Sequence, residues 1–132
     1  MNTIKIVIEK TPDMYSAYAE NVEGIYGGGD TPQEAKESIL KSIQLLIENN
    51  APENVPSILK GQYTVKYEFD TESLINYLKG IITYPGFETL TGINEKQIAH
   101  YSSGLKKPRR EQKDKIQIGL HNFAKELLAI EL

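Results

Sequence analysis

The chain opens on an alternation. Ile4, Ile6 and Ile8 fall on one face, and Lys5, Val7 and Glu9 on the other. A period of two in β-branched residues predicts a strand over Thr3 to Lys10. Thr11-Pro12-Asp13 then predicts a turn, because proline fixes φ and aspartate tolerates turn geometry. A second strand is expected over Met14 to Glu20, with Tyr15, Ala17 and Ala19 opposed to Met14, Ser16 and Tyr18. A short third strand over Ile25 to Gly29 runs into three glycines. Asp30-Thr31-Pro32-Gln33-Glu34 announces a helix: Thr31 is placed to cap it, Pro32 takes the first helical position and Glu34 completes a capping box. Ala35, Ile39, Ile43, Leu46 and Ile47 recur at helical spacing through Glu48. Asn49 to Gln62 reads as loop, rich in asparagine, proline and glycine. Tyr63, Val65, Tyr67 and Phe69 alternate against Thr64, Lys66 and Glu68 to give a fourth strand. The first half therefore reads β-β-β-α-β.

From Asp70 the period changes to helical. A helix is expected over Thr71 to Ile82 with Leu74, Tyr77, Leu78 and Ile81 inward. Tyr84-Pro85-Gly86 reads as its break, and Phe87 to Thr91 as a short helix. Gly92-Ile93-Asn94 is the next turn, Glu95 to Ser102 another helix, and Gly104 to Pro108 a basic loop. A long helix then spans Arg109 to Ile130, with Ile116, Leu120, Phe123, Leu127 and Ile130 on one face. The expected class is α+β in two domains, residues 1–69 and 70–132.

Composition narrows the picture. In 132 residues, 39% are apolar and 25% charged, which predicts a soluble globular chain. No apolar run approaches the roughly 18 residues of a membrane span. The N-terminus enters a strand without a signal-peptide pattern, so a cytoplasmic protein with no membrane partner is expected. With no cysteine, disulfides, thiol catalysis and cysteine zinc sites are excluded. The net charge of −3 hides an asymmetry: residues 1–68 carry 6 Lys against 10 acids, whereas residues 94–115 carry 7 cations against 3 acids. An acidic half joined to a locally basic segment suggests two different partners.

The basic segment lies in the most informative stretch, residues 86–110. Gly92 stands where a tight helix–helix turn needs positive φ. Ile93 and Ile98 are spaced to pin the flanking helices together. Asn94 is placed to cap the second helix, with Gln97 at the reciprocal position of a capping box. With Ile98 and Tyr101 turned inward, Glu95, Lys96, Gln97 and His100 are expected to face out from the turns that meet base edges in a major groove. Lys106, Lys107, Arg109 and Arg110 follow as phosphate clamps, and the start of the last helix adds backbone N–H groups. The stretch resembles the lambda-repressor-like helix-turn-helix over about residues 71–125. Glu88 stands where such motifs usually carry a small residue.

In the first half, Tyr15-Ser-Ala-Tyr-Ala-Glu-Asn-Val-Glu-Gly-Ile-Tyr-Gly-Gly-Gly-Asp-Thr-Pro-Gln-Glu-Ala resembles the N-terminal domain of HicB-type antitoxins. Gly24, Gly29, Asp30, Thr31, Glu34 and Ala35 match its pattern, while Asn21 and Glu23 replace common residues, including the proline that usually precedes Gly24. This resemblance implies a reduced ribonuclease-H-like fold, binding of a small HicA-type RNA-cleaving toxin, repression of the operon encoding the pair through double-stranded operator DNA, and a homodimer or higher oligomer. The acidic and aromatic residues around the second and third strands, Tyr18, Glu20, Glu23 and Tyr26, are the candidate toxin contacts. The alternatives are a stand-alone repressor and an interaction module that never touches DNA.

An enzyme is not expected. Gly27-Gly28-Gly29 lacks the Lys-Ser or Lys-Thr of a phosphate loop and reads as strand where another backbone comes close. Nuclease chemistry of ribonuclease-H type needs clustered carboxylates for two ions, and the middle of the first strand carries none. His100 and His121 have no metal-ligand spacing, and no serine nucleophile elbow is present. No catalytic residue, metal or cofactor is therefore assigned.

Overall fold

Ile4, Ile6 and Ile8 of β1 (Asn2–Lys10) have no solvent exposure at all, and the first of two units is built around them. The computed structural model describes residues 1–132, which divide into Met1–Tyr77 and Leu78–Leu132. In the first unit β1 is central. It pairs antiparallel with β2 (Tyr15–Ala19), which pairs antiparallel with β3 (Tyr26–Gly29), and on its other side it pairs parallel with β4 (Tyr63–Phe69). The sheet order is β3-β2-β1-β4, so the chain between β3 and β4 crosses two strands. That crossover carries α1 (Pro32–Asn49), whose Ala35, Ile39 and Ile43 bury against one sheet face together with Ala17 and Ala19.

The glycines of β3 have a steric reason. A Cβ on Gly27 would lie 2.5 Å from the Ile39 backbone nitrogen, and one on Gly29 would lie 2.4 Å from Glu34 Cβ. Helix α1 crosses β3 at a distance no side chain allows. At the start of α1, Thr31 Oγ1 accepts the Glu34 N–H at 3.1 Å. Glu34 Oε2 accepts the N–H of Asp30 at 2.8 Å, one residue before the cap position that a reciprocal box uses. Residues 49–62 contain two 3-10 turns, Pro52–Asn54 and Ser57–Leu59, which bury Val55 and Leu59.

α2 (Thr71–Leu78) is shorter than its period suggested. Ser73 and Ile75 are its buried residues, Leu74, Tyr77 and Leu78 are half-buried, and Ile81 lies beyond the helix with 81% exposure. The Tyr77 ring meets Phe69 edge-on at 5.1 Å, and its hydroxyl accepts Lys36 Nζ–H at 3.2 Å. These contacts hold α2 in the first unit, so the division falls at Tyr77–Leu78 instead of after Phe69.

The second unit holds α3 (Tyr84–Thr91), α4 (Glu95–Ser103) and α5 (Arg110–Leu128). Tyr84-Pro85-Gly86 is not a break but the first turn of α3: Thr83 Oγ1 caps it by accepting the Gly86 N–H at 3.1 Å. Phe87, Ile98, Tyr101 and Ile116 are buried, and Leu120 and Phe123 half-buried. α5 ends at Leu128, short of the expected Ile130; Leu127 and Ile130 are exposed, so the apolar face is covered only as far as Phe123. The chain is thus α+β, with a four-stranded mixed sheet and five helices. No helix is long and apolar enough to cross a membrane.

Candidate nucleic-acid interface

The turn between α3 and α4 is set by Gly92 at φ +76°, a left-handed conformation that favours glycine. Its N–H donates to the Glu88 carbonyl and closes α3. Ile93 and Ile98 bury on either side of the turn. Thr91 Oγ1 accepts the Ile93 N–H at 3.1 Å and donates to the Phe87 carbonyl at 2.7 Å, so the turn has no orphaned donor at this buried point.

Helix α4 is capped twice. Asn94 Oδ1 accepts the Lys96 N–H at 2.9 Å. Glu88 Oε1, from α3, accepts the Glu95 N–H at 2.7 Å. The second bond takes the place of the expected reciprocal box. Gln97 does not reach back; its amide nitrogen donates to Tyr101 Oη at 2.9 Å. Gln97 is half-buried, so its amide nitrogen is engaged instead of facing freely outward. His100 is also half-buried, and its Nδ1 is enclosed without a hydrogen-bond partner. The exposed polar residues at the start of α4 are Asn94, whose side-chain oxygen holds the cap, Glu95 and Lys96.

After α4 the chain turns at Gly104, φ +80°, and Lys106 N–H returns to the His100 carbonyl at 3.2 Å. This brings the exposed cations Lys106, Lys107 and Arg109 to a cleft of about 500 Å³, lined also by Gln97, Tyr101, Glu111 and Gln112. Arg109 occupies the N-cap of α5 and makes no side-chain cap bond. The Gln112 and Lys113 N–H groups turn back to its carbonyl, which leaves those of Arg110 and Glu111 unpaired. Arg110 lies outside the cleft and forms a long, exposed ion pair with Asp114 at 4.0 Å.

Four of the expected interface residues, Gln97, Lys106, Lys107 and Arg109, thus share one cleft; Asn94, Glu95, Lys96, His100 and Arg110 do not line it. Sequence does not mark Glu111 or Gln112, and it marks Glu88 only as a departure from the motif. Nothing local flags the role of Glu88, whose bond spans seven residues. Sequence marks Tyr101 only as an inward apolar anchor, although its hydroxyl is the hydrogen-bonding partner of Gln97. The unit carries nine cations against six acids, a net of +3, whereas residues 1–77 carry six against twelve, a net of −6.

On the first unit, Tyr18 and Tyr26 sit directly opposite each other across β2 and β3, on the sheet face away from α1. Tyr18 is half-buried and Tyr26 is 69% exposed. Glu20 is bound to Lys5 at 3.1 Å, and Glu23 is exposed in the turn before Gly24. Lys5 also pairs with Glu68 at 3.0 Å; the two carboxylates raise its pKa, Glu68 most. No group of three or more His, Asp or Glu side chains is placed to hold a metal.

Comparison with known proteins finds no family model, curated protein or solved structure that matches the chain.

Proposed function

We propose that this chain is a DNA-binding regulator of its own operon, built as a helix-turn-helix on residues 78–132, and that its acidic first unit neutralises a HicA-type RNA-cleaving toxin. One observation carries the DNA-binding part. A nine-residue helix is fixed on its neighbour by two buried isoleucines and two caps, with its first turn in solvent and Lys106, Lys107 and Arg109 gathered beside it. Base edges are read by that first turn, mainly Lys96, while the basic loop and the unpaired N–H groups of Arg110 and Glu111 receive backbone phosphates. Because Gln97 and His100 are partly withdrawn, their part in base reading requires them to leave their present partners or surroundings.

The antitoxin part is supported by the HicB-like sequence pattern, the net charge of the unit and the Tyr18–Tyr26 pair, which puts two tyrosines opposite each other on the sheet face away from α1, with Glu23 nearby in sequence. A basic RNA-binding toxin would meet complementary charge there. The reduced ribonuclease-H-like description of the sheet belongs to the same proposal.

The test is fluorescence anisotropy of the full chain on a duplex from its own upstream region, over a salt series. Binding that falls steeply with salt, and that Lys106→Ala with Lys107→Ala weakens on all duplexes alike, supports the reading. A second reading, a pure interaction module, is favoured by Leu127 on α5 and Ile130 just beyond its end, both exposed. Absence of duplex binding at low salt would select it.

A further inference from the structure

The two edges of the sheet in the first unit differ. On β3, the hydrogen bond from Ala19 N–H to the Ile25 carbonyl and the register Tyr18 to Tyr26 direct the backbone groups of Tyr26 and Gly28 away from β2. Helix α1 already engages this edge. Gly28 N–H donates to Ser38 Oγ at 3.1 Å, and Ser42 Oγ donates to the Tyr26 carbonyl at 2.9 Å. On β4, Asp70 N–H donates to the Ile8 carbonyl at 3.1 Å. Residues 64, 66 and 68 therefore turn their backbone groups to β1, and Tyr63, Val65, Tyr67 and Phe69 turn theirs outward. Nothing in the chain hydrogen-bonds to those outward groups. The strand is seven residues long and contains no proline, so it lacks one of the usual barriers to strand addition.

We infer that the free edge of β4 receives β4 of a second copy of this chain, antiparallel and centred on Tyr67. The side-chain sequence selects both the occupant and the register. Centring on Lys66 would set that ammonium against its own copy, a repulsive cross-strand pair. Centring on Val65 would oppose Lys66 to Thr64 and leave Glu68 opposite Gln62. Centring on Tyr67 opposes Lys66 to Glu68 of the second copy twice on the open face, and Val65 to Phe69 twice on the face that packs on α1. It also opposes outward-pointing backbone groups to one another, so the new ladder closes. Glu20, Lys5 and Glu68 already alternate in charge across the sheet at 3.1 and 3.0 Å, and Lys66 of the second copy extends the row. The result is a continuous eight-stranded sheet whose outer edges are the two β3 strands engaged by serines. This inference stands on the first unit alone and does not depend on DNA or toxin binding.

Sedimentation velocity of the full chain tests it. A concentration-dependent dimer is expected. Lys66→Glu should weaken it roughly tenfold or more by placing like charges opposite each other, and adding Glu68→Lys should restore most of it. Because the chain has no cysteine, the register is tested separately. An oxidised mixture of the Lys66→Cys and Glu68→Cys chains should give a disulfide-linked dimer, since positions 66 and 68 face each other at a non-hydrogen-bonded site within disulfide reach. Neither chain alone should cross-link. A chain that stays monomeric at every concentration, a dimer indifferent to Lys66→Glu, or Lys66→Cys cross-linking with itself as readily as in the mixture would each overturn the inference.

Discussion

The carboxylate of Glu88, on α3, accepts the N–H of Glu95, the first residue of α4, at 2.7 Å. A side chain on the first helix thereby caps the second, and both helices are tied at the turn that Gly92 makes possible. The helix-turn-helix motifs that this stretch resembles in sequence usually carry a small residue here; this chain places a hydrogen-bond acceptor next to the positive end of α4. Glu88→Ala should cost about 1 kcal/mol, the usual loss for removing a cap. Glu88→Gln, which keeps an acceptor, should recover most of it. Urea unfolding measures the cost, and faster hydrogen exchange at the Glu95 amide in Glu88→Ala would locate it.

Gly119 on α5 meets the chain of α3 without room for a side chain. A Cβ there would lie 2.3 Å from the Leu90 carbonyl oxygen. Alanine favours helix over glycine by about 1 kcal/mol, but overpacking against backbone costs about 1–3 kcal/mol. Steric cost should win, and Gly119→Ala should lower the urea midpoint. A raised midpoint would show that α3 and α5 separate freely.

Ser38 and Ser42 should matter beyond their own bonds. Replacing both with alanine removes two hydrogen bonds to the β3 edge, each contributing about 1 kcal/mol, and opens that edge to strand addition. Lower thermal stability with new concentration-dependent association is expected. Unchanged stability and association would show that the edge needs no cover.

Alkaline pH should loosen the first unit. The pKa of Lys5 is raised, chiefly by its bond to Glu68 and then Glu20. Those of Tyr15 and Tyr67 are raised, chiefly by burial. In all three the folded state holds its proton more tightly than the unfolded chain. Their contribution is complete below the unfolded values of 10.0 for tyrosine and 10.5 for lysine, and is lost as pH rises through the higher folded values. Melting temperature should therefore show no loss from these groups up to about pH 9 and a fall above about pH 10. Tyr67→Phe should reduce that fall, and an undiminished fall in this variant would assign the effect elsewhere.

Much of the fold is legible in the residues themselves. Three isoleucines at alternate positions define β1, the alternation from Tyr63 to Phe69 bounds β4, and Thr31 with Pro32 marks the start of α1. The misreadings share a cause: one residue type has two uses. Pro85 looks like a breaker but opens α3 behind Thr83, as Pro32 opens α1 behind Thr31. Ile81 fits an inward helical period, yet α2 has ended at Leu78. In the candidate site, the exposed cations and the glycine turn follow from sequence. The engagement of Gln97 by Tyr101 and of Glu95 by Glu88 does not, because each side chain has several partners in reach and only the packed helices select one.

DNA binding by the second unit is tested most directly by anisotropy of the full chain on its own upstream duplex, with and without Lys106→Ala and Lys107→Ala. Affinity should fall linearly on a log–log plot against salt, and the double substitution should make the slope shallower by about two counterions. Binding that ignores salt, or a slope unchanged by removing both lysines, would contradict a phosphate-gripping loop beside α4.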